Sequence, residues 1–328
     1  MNQESKTVAE TDEADLIAEI TAIVPSPRAI VGNGDDAAVL PCHGQVVTST
    51  DMLVANRHFR MEWSTGSDIG YRAAMQNFAD IAAMGARCDA LVVSLSLPKD
   101  LPVRWVREVA TGLAQACDDA AHAWNTPVGI AGGDLTGGPV VTIAITALGT
   151  LIGDRPITRA GAQPGDVLAV AGTIGRSAAG LALAGPPAIN APRAAHTCWQ
   201  TYLRPTPPLG EAAALCSASS AIDISDGLIL DTSRLAQASA VSIDLDPLPL
   251  DPILTAVADL VAPEGEREAA VATWQFTGGE DHALLATFPP QQLPAGFSQI
   301  GTVHPLASDP VRVCGRPWRQ RGGWDHFG

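Results

Sequence analysis

Five short segments carry aspartates beside glycines or hydroxyl residues, each near the end of an apolar run. They are Gly34-Asp35-Asp36, Ser49-Thr50-Asp51, Asn77-Phe78-Ala79-Asp80, Gly132-Gly133-Asp134 and Asp223-Ile224-Ser225-Asp226-Gly227. Strand ends set side chains along one rim of a sheet, so a fold built from these runs crowds carboxylates together. Such a rim repels itself unless cations sit between the acids. Carboxylates with hydroxyls and few bases select hard, oxygen-seeking ions, above all Mg²⁺. Mg²⁺ in that setting points to phosphate chemistry.

The 328 residues suffice for two ordinary domains. Hydrophobic residues make up 46%, which supports a large core and excludes global disorder. Aromatics are only 5%, which favours tightly packed α/β layers over an aromatic-rich β-sandwich. The formal net charge is -15 and no basic cluster stands out, so nucleic acid is not an expected partner. Bound metal ions invert a local field, so an acidic chain still accepts an anionic substrate. Cys42, Cys88, Cys117, Cys198, Cys216 and Cys314 form no Cys-x-x-Cys pair, which speaks against a zinc knuckle and for a reducing compartment. Residues 1–13 are polar and acidic and read as a disordered tail without an apolar signal region. No apolar stretch has the length of a membrane span. The expectation is a cytoplasmic protein with no membrane partner.

Periodicity predicts helices over 16–24, 69–84, 103–123, 177–184 and 226–238, and strands over 46–50, 91–97, 128–131, 140–148, 166–171, 221–224, 241–245 and 283–288. Asp51 is expected at a strand end, and Gly132-Gly133-Asp134 just after one. The turn-rich segments from Gly153 to Asp166 place a domain boundary near residue 150. The fold class is therefore α/β, of the α+β type, with domains at 14–150 and 151–328. Residues 247–264 are proline-broken and carry no clear element.

Taken singly, most acidic segments have plain readings. Gly34-Asp35-Asp36 suits a turn, Ser49-Thr50-Asp51 a helix cap, and Gly132-Gly133-Asp134 a hairpin turn. Asp80, in a mostly apolar helix, suits a rim charge. The set favours metal, because hydroxyl-Asp, Gly-Asp and helix Asp all occur in one half of the chain. In the other half, alternation puts Asp223 and Ser225 on one strand face. Asp226 falls where a helix N-cap belongs. Two acids flanking a serine call for a cation. Gly278-Gly279-Glu280-Asp281 is open between turn and site. His58 is a ligand candidate against a structural histidine. Arg159 is a phosphate-clamp candidate against a surface charge. Gly172-Thr173-Ile174-Gly175 lacks the lysine and spacing of a P-loop.

As an ordered set the segments resemble the thiamine-monophosphate kinase family. The resemblance runs from about residue 31 to the end through Gly34–Leu40, Ser49–Val54, His58-Phe59, Asn77–Ala86, Gly132–Asp134, Asp223–Leu228, Gly278–Asp281 and the closing Trp324-Asp325-His326-Phe327. It implies a two-domain fold like that of aminoimidazole ribonucleotide synthetase, with an N-terminal sheet forming a homodimer interface and a C-terminal α/β domain. It also implies ATP-dependent phosphorylation of thiamine phosphate to thiamine diphosphate. By motif position Asp36, Ser49, Thr50, Asp51, Asp80, Asp134, Asp223 and Asp226 correspond to the Mg²⁺-binding set, which holds several ions, with K⁺ a further candidate. Gly133, Asp134, Arg159 and Ser225 correspond to ATP contacts, and His58, Glu280 and Trp324 to substrate contacts. The alternatives are a sibling ATP-dependent enzyme of the same superfamily or a non-catalytic nucleotide- or Mg²⁺-binding relative. The chain departs from the family pattern at His282, usually an aromatic residue, and at Asn33 and Ala79.

Overall fold

A computed structural model describes residues 6–24, 26–32, 37–42, 44–319 and 322–323. The chain divides into two compact units, one of residues 1–81 with 86–151 and one of residues 82–85 with 152–328.

The first unit holds a four-stranded sheet of β1 (Val46–Val54), β2 (Ala86–Leu97), β3 (Gly129–Gly137) and β4 (Thr142–Leu151), in the order β1-β4-β2-β3. β4 runs antiparallel to β1 and β2, whereas β2 and β3 are parallel. A parallel pair needs a long crossover, and helix α3 (Val103–Trp124) supplies it. Its buried Val106, Val109, Leu113, Cys117 and Ala120 recur at helical spacing. Asn125, left-handed at φ 49°, ends it.

Helices α1 (Glu13–Ile23) and α2 (Gly66–Ala83) complete the unit. Gly70 of α2 and Gly112 of α3 let the two backbones touch: a Cβ on either would lie within 2.1 Å of a carbonyl oxygen of the other helix. Bulkier residues there would prise apart the helices that present Asp80 and the residues of α3.

The second unit holds a seven-stranded sheet. Its strands are β5 (Val167–Ala171), β6 (Ser220–Ile224), β7 (Val241–Leu245), β8 (Ala283–Phe288), β9 (Ser298–Pro305), β10 (Val311–Val313) and β11 (Arg316–Pro317). They lie in the order β11-β10-β7-β9-β5-β8-β6. β5, β6 and β8 are buried at every position, as strands covered on both faces must be. Ile222, Ile224, Leu168 and Leu285 pack with Leu228 and Leu235 of α6 (Leu228–Ser239) and Phe276 of α8 (Arg267–Thr277). A smaller cluster joins α8 to α4 (Arg176–Ala182), α5 (Arg193–Leu203) and α7 (Pro252–Val261).

Several boundaries differ from the sequence reading. β1 continues to Val54, so Asp51 sits within the strand. β3 continues through Gly132-Gly133-Asp134, which is neither a turn nor a strand end. The segment 247–264 contains α7, started by Pro252 and capped by Asp251, whose carboxylate accepts the Ile253 N–H at 2.8 Å. Proline there marks a helix start. α6 begins at Leu228 with Gly227 at the cap position, so Asp226 is not the N-cap.

Candidate functional site

In the first unit, β1 alternates. Val47, Ser49, Asp51 and Leu53 share the more covered face, while Val46, Thr48, Thr50 and Met52 are exposed on the other. Ser49 and Asp51 thus point the same way. The Ser49 hydroxyl donates to Asp80 Oδ2 at 2.6 Å, tying β1 to α2. Thr50 faces away: its hydroxyl donates to the Ile145 carbonyl at 2.9 Å and lies 3.3 Å from the Thr146 hydroxyl. Thr50 can serve the Ser49 face only through its main chain.

β1 ends in a tight turn. The backbone N–H of Arg57 and of His58 reach the Val54 carbonyl, and Asn56 is left-handed at φ 62°. The Val54 N–H donates to His58 Nδ1 at 2.9 Å. The neutral ring therefore carries its proton on Nε2.

Asp134 is exposed on β3, opposite Ser94 of β2. A Cβ on its neighbour Gly133 would stand 2.1 Å from the Val93 carbonyl oxygen, so only glycine allows the two strands to pair there. Beside Gly132-Gly133-Asp134 opens a cavity of about 450 Å³. Its apolar wall includes Ile17 of α1, Val106, Ala110 and Leu113 of α3, and Ile130 of β3. The sequence reading missed these lining residues. Their helical periodicity reads as plain core, and only the tertiary structure shows the cavity they line among the described residues.

In the second unit Asp223 is buried on β6, and its Oδ2 lies 3.2 Å from His282 Nδ1. Asp226 Oδ2 accepts from Arg234 Nη1 at 2.6 Å. The same Nη1 donates to Asp231 Oδ1 at 2.7 Å, and Asp231 Oδ2 accepts the N–H groups of Asp226 and Gly227. Burial first, and then the charge of Asp223, push Asp231 up to about 7. Of the two acids around Ser225, Asp226 meets a cation supplied by the chain itself, whereas Asp223 meets the His282 ring. Arg234, Asp231 and His282 are neighbours of these acids that sequence reading did not single out as a group. Arg234 and Asp231 follow Asp226 by eight and five residues, the one signal that could have found them.

Gly278-Gly279-Glu280-Asp281 forms a clamp. Glu280 and His282 are both left-handed, at φ 65° and 53°. Glu280 N–H donates to the Ser225 carbonyl and His282 N–H to the Ile224 carbonyl. Between them Asp281 is buried and accepts from the Thr173 hydroxyl and the N–H groups of Gly175, Arg176 and Ser177 at 2.9–3.2 Å. Burial raises Asp281 to about 6 against the pull of these donors. The Gly172–Gly175 turn is thus closed by Asp281. Arg159 is exposed, and its carbonyl accepts the Ser239 hydroxyl. Asp36 and Trp324 lie outside the described residues.

Among the described residues no three His, Cys, Asp or Glu side chains gather into a ready-made metal cluster. The donors fit Mg²⁺ in kind all the same. That ion is usually held by one or two carboxylates plus substrate phosphates and waters. The Ser49 hydroxyl and the Asp80 carboxylate bring two such hard oxygens together from β1 and α2.

The architecture and the acidic strand and helix positions define a class. Residues 34–151 match the family model for AIR synthase related protein, N-terminal domain. Within that class, the chain is 39% identical to the thiamine-monophosphate kinase of Mycobacterium tuberculosis (strain CDC 1551 / Oshkosh), over 99% of this chain and 94% of that protein. It is equally identical to the thiamine-monophosphate kinase of Corynebacterium glutamicum, over 99% and 96%. A solved structure described as AaThiL complexed with AMPPCP and TMP superposes with a TM-score of 0.77 at 27% identity, covering 96% of this chain and 97% of that one. The chain belongs to the thiamine-monophosphate kinase family.

Proposed function

We propose that the protein transfers the γ-phosphoryl group of ATP to thiamine phosphate, giving thiamine diphosphate and ADP. The observation that carries the ATP half is the largely apolar cavity whose lining includes Gly132-Gly133-Asp134. Its volume falls in the range of small-molecule sites. Its apolar wall suits a purine, and the Asp134 carboxylate in its lining suits phosphate with metal. The thiamine phosphate half rests on the relatives, which are thiamine-monophosphate kinases over nearly their whole length.

A phosphate oxygen of thiamine phosphate attacks the γ-phosphorus in line, and the bond to the β–γ bridging oxygen breaks. The second pKa of a phosphomonoester is near about 6, so the acceptor is already ionised at neutral pH and needs no general base. Mg²⁺ supplies charge neutralisation and alignment between the two polyanions. The carboxylates we assign to Mg²⁺ ions are Asp51, Asp80 and Asp134 in the first unit, with Asp36, the Ser49 hydroxyl and the Thr50 main chain, and Asp223 and Asp226 in the second. Gly133 lets the nucleotide approach the backbone, while Arg159 and Ser225 contact its phosphates. The Nε2–H of His58 suits a substrate phosphate oxygen. Glu280 and Trp324 complete the contacts to thiamine phosphate, Trp324 by stacking.

We assign nucleotide binding and homodimerisation to the first domain, with exposed Val46 and Met52 on the open face of its edge strand. Among the described residues no helix is long and apolar enough to cross a membrane. With six free cysteines, this supports a cytoplasmic site of action. The test incubates the protein with ATP, Mg²⁺ and either thiamine or thiamine phosphate and separates the products, with K⁺ varied in parallel. Thiamine diphosphate from thiamine phosphate is expected. No product from either points to a binding protein.

A further inference from the structure

We infer that His282 is a positioning residue that orients Asp223 for metal. The inference rests on the assignment of Asp223 to Mg²⁺ made above.

The geometry makes the imidazole a built contact. His282 and Asp223 are both buried, and Nδ1 lies 3.2 Å from Oδ2. A carboxylate only accepts, so Nδ1 carries the proton and donates. The backbone pays for this placement with a left-handed conformation at His282, φ 53°, that non-glycine residues seldom adopt. Three anchors hold it there. His282 N–H bonds the Ile224 carbonyl at 3.1 Å, and Glu280 N–H bonds the Ser225 carbonyl at 2.8 Å. Asp281, between them, is fastened to the turn before α4 by four donors. The imidazole is therefore presented to β6 by a rigid segment. β6 pairs with β8, which begins at the next residue, and Asp223 stands opposite Leu284.

With one Asp223 oxygen held by Nδ1–H, the other would be the one to take the metal assigned above. Partners of this kind fix the ligand's orientation and are typically worth 10–100-fold in metal affinity. The segment does for Asp223 what Arg234 does for Asp226, but with a donor that adds no permanent charge.

The test compares wild type with H282F and H282N. H282F removes the donor. H282N restores an N–H donor on a residue that tolerates φ > 0. Mn²⁺ binding is followed by electron paramagnetic resonance in the presence of a non-hydrolysable ATP analogue, beside thermal melting and the Mg²⁺ dependence of turnover. H282F should weaken Mn²⁺ binding by roughly tenfold. It should raise the Mg²⁺ needed for half-maximal turnover similarly, with kcat recovered at saturating Mg²⁺. H282N should restore most of both. Equal Mn²⁺ affinity in folded H282F, or a loss that H282N does not repair, overturns the role of His282 and leaves the kinase reading intact. Wild type that binds no Mn²⁺ and forms no thiamine diphosphate overturns both. Should H282F fail to fold, the wild-type ring decides: long-range ¹H–¹⁵N correlation should find a proton on Nδ1 of His282, and a ring protonated only on Nε2 overturns the inference.

Discussion

The Ser49 hydroxyl donates to the Asp80 carboxylate across 2.6 Å, joining an edge strand to a helix 31 residues further along the chain. The pair sets two hard oxygens side by side on the face that also carries Asp51. Asp80→Asn keeps an acceptor for Ser49 but loses the charge. Turnover should fall about 100-fold or more, beyond what losing an outer partner costs. The melting temperature should move little. Steady-state kinetics at saturating Mg²⁺ beside a thermal melt checks this, and retained turnover removes Asp80 from the metal set.

Gly133 permits β2 and β3 to pair closely. Gly133→Ala puts a methyl group 2.1 Å from the Val93 carbonyl oxygen, which is main chain and cannot swing aside. The overpacking should cost about 1–3 kcal/mol, read as a lower urea midpoint.

The cavity wall offers a way to separate the two substrates. Ala110→Leu extends a side chain from α3 into the space beside Gly132-Gly133-Asp134. The KM for ATP should rise about tenfold, a change of about 1.4 kcal/mol. The KM for thiamine phosphate should stay within about twofold, since uniform binding of only one substrate is lost. A rise for thiamine phosphate alone contradicts the nucleotide assignment.

Asp281 links stability to pH. Its carboxyl is raised from 3.8 to about 6, chiefly by burial. A raised acid holds its proton longer when folded than when unfolded, so its contribution is full below about 4 and declines as pH rises to about 6. The decline is on the order of 2–3 kcal/mol. Asp281→Asn abolishes this titration. The stability of wild type relative to the variant should therefore shrink between pH 4 and 6 in urea unfolding curves. A gap that widens with pH contradicts the sign.

The long helices were legible because their apolar residues recur at 3.6-residue spacing, as in α3 with Val106, Val109 and Leu113. Strand β8 was legible to the residue, since its apolar run is bounded by Gly278–Asp281 and Pro289. Strand ends were not. Asp51 and Gly132–Asp134 look like breaks because acids and glycines disfavour strands locally. Pairing with β4 and β2 overrides that preference. Asp226 looked like a helix cap for the same local reason, yet Arg234 takes its carboxylate.

The order of the acidic motifs along the chain was enough to bring out the family and its phosphate chemistry, because residue types and spacing are properties of the chain itself. What each acid touches was decided by tertiary structure. Asp223 meets His282 because β6 lies beside β8, Asp80 meets Ser49 because α2 brings its last turn against β1, and residues of α1, α3 and β3 come together as the walls of the cavity. The two hydrogen bonds join residues 31 and 59 positions apart, and a hydrogen bond depends on distance in space, which spacing along a chain does not encode.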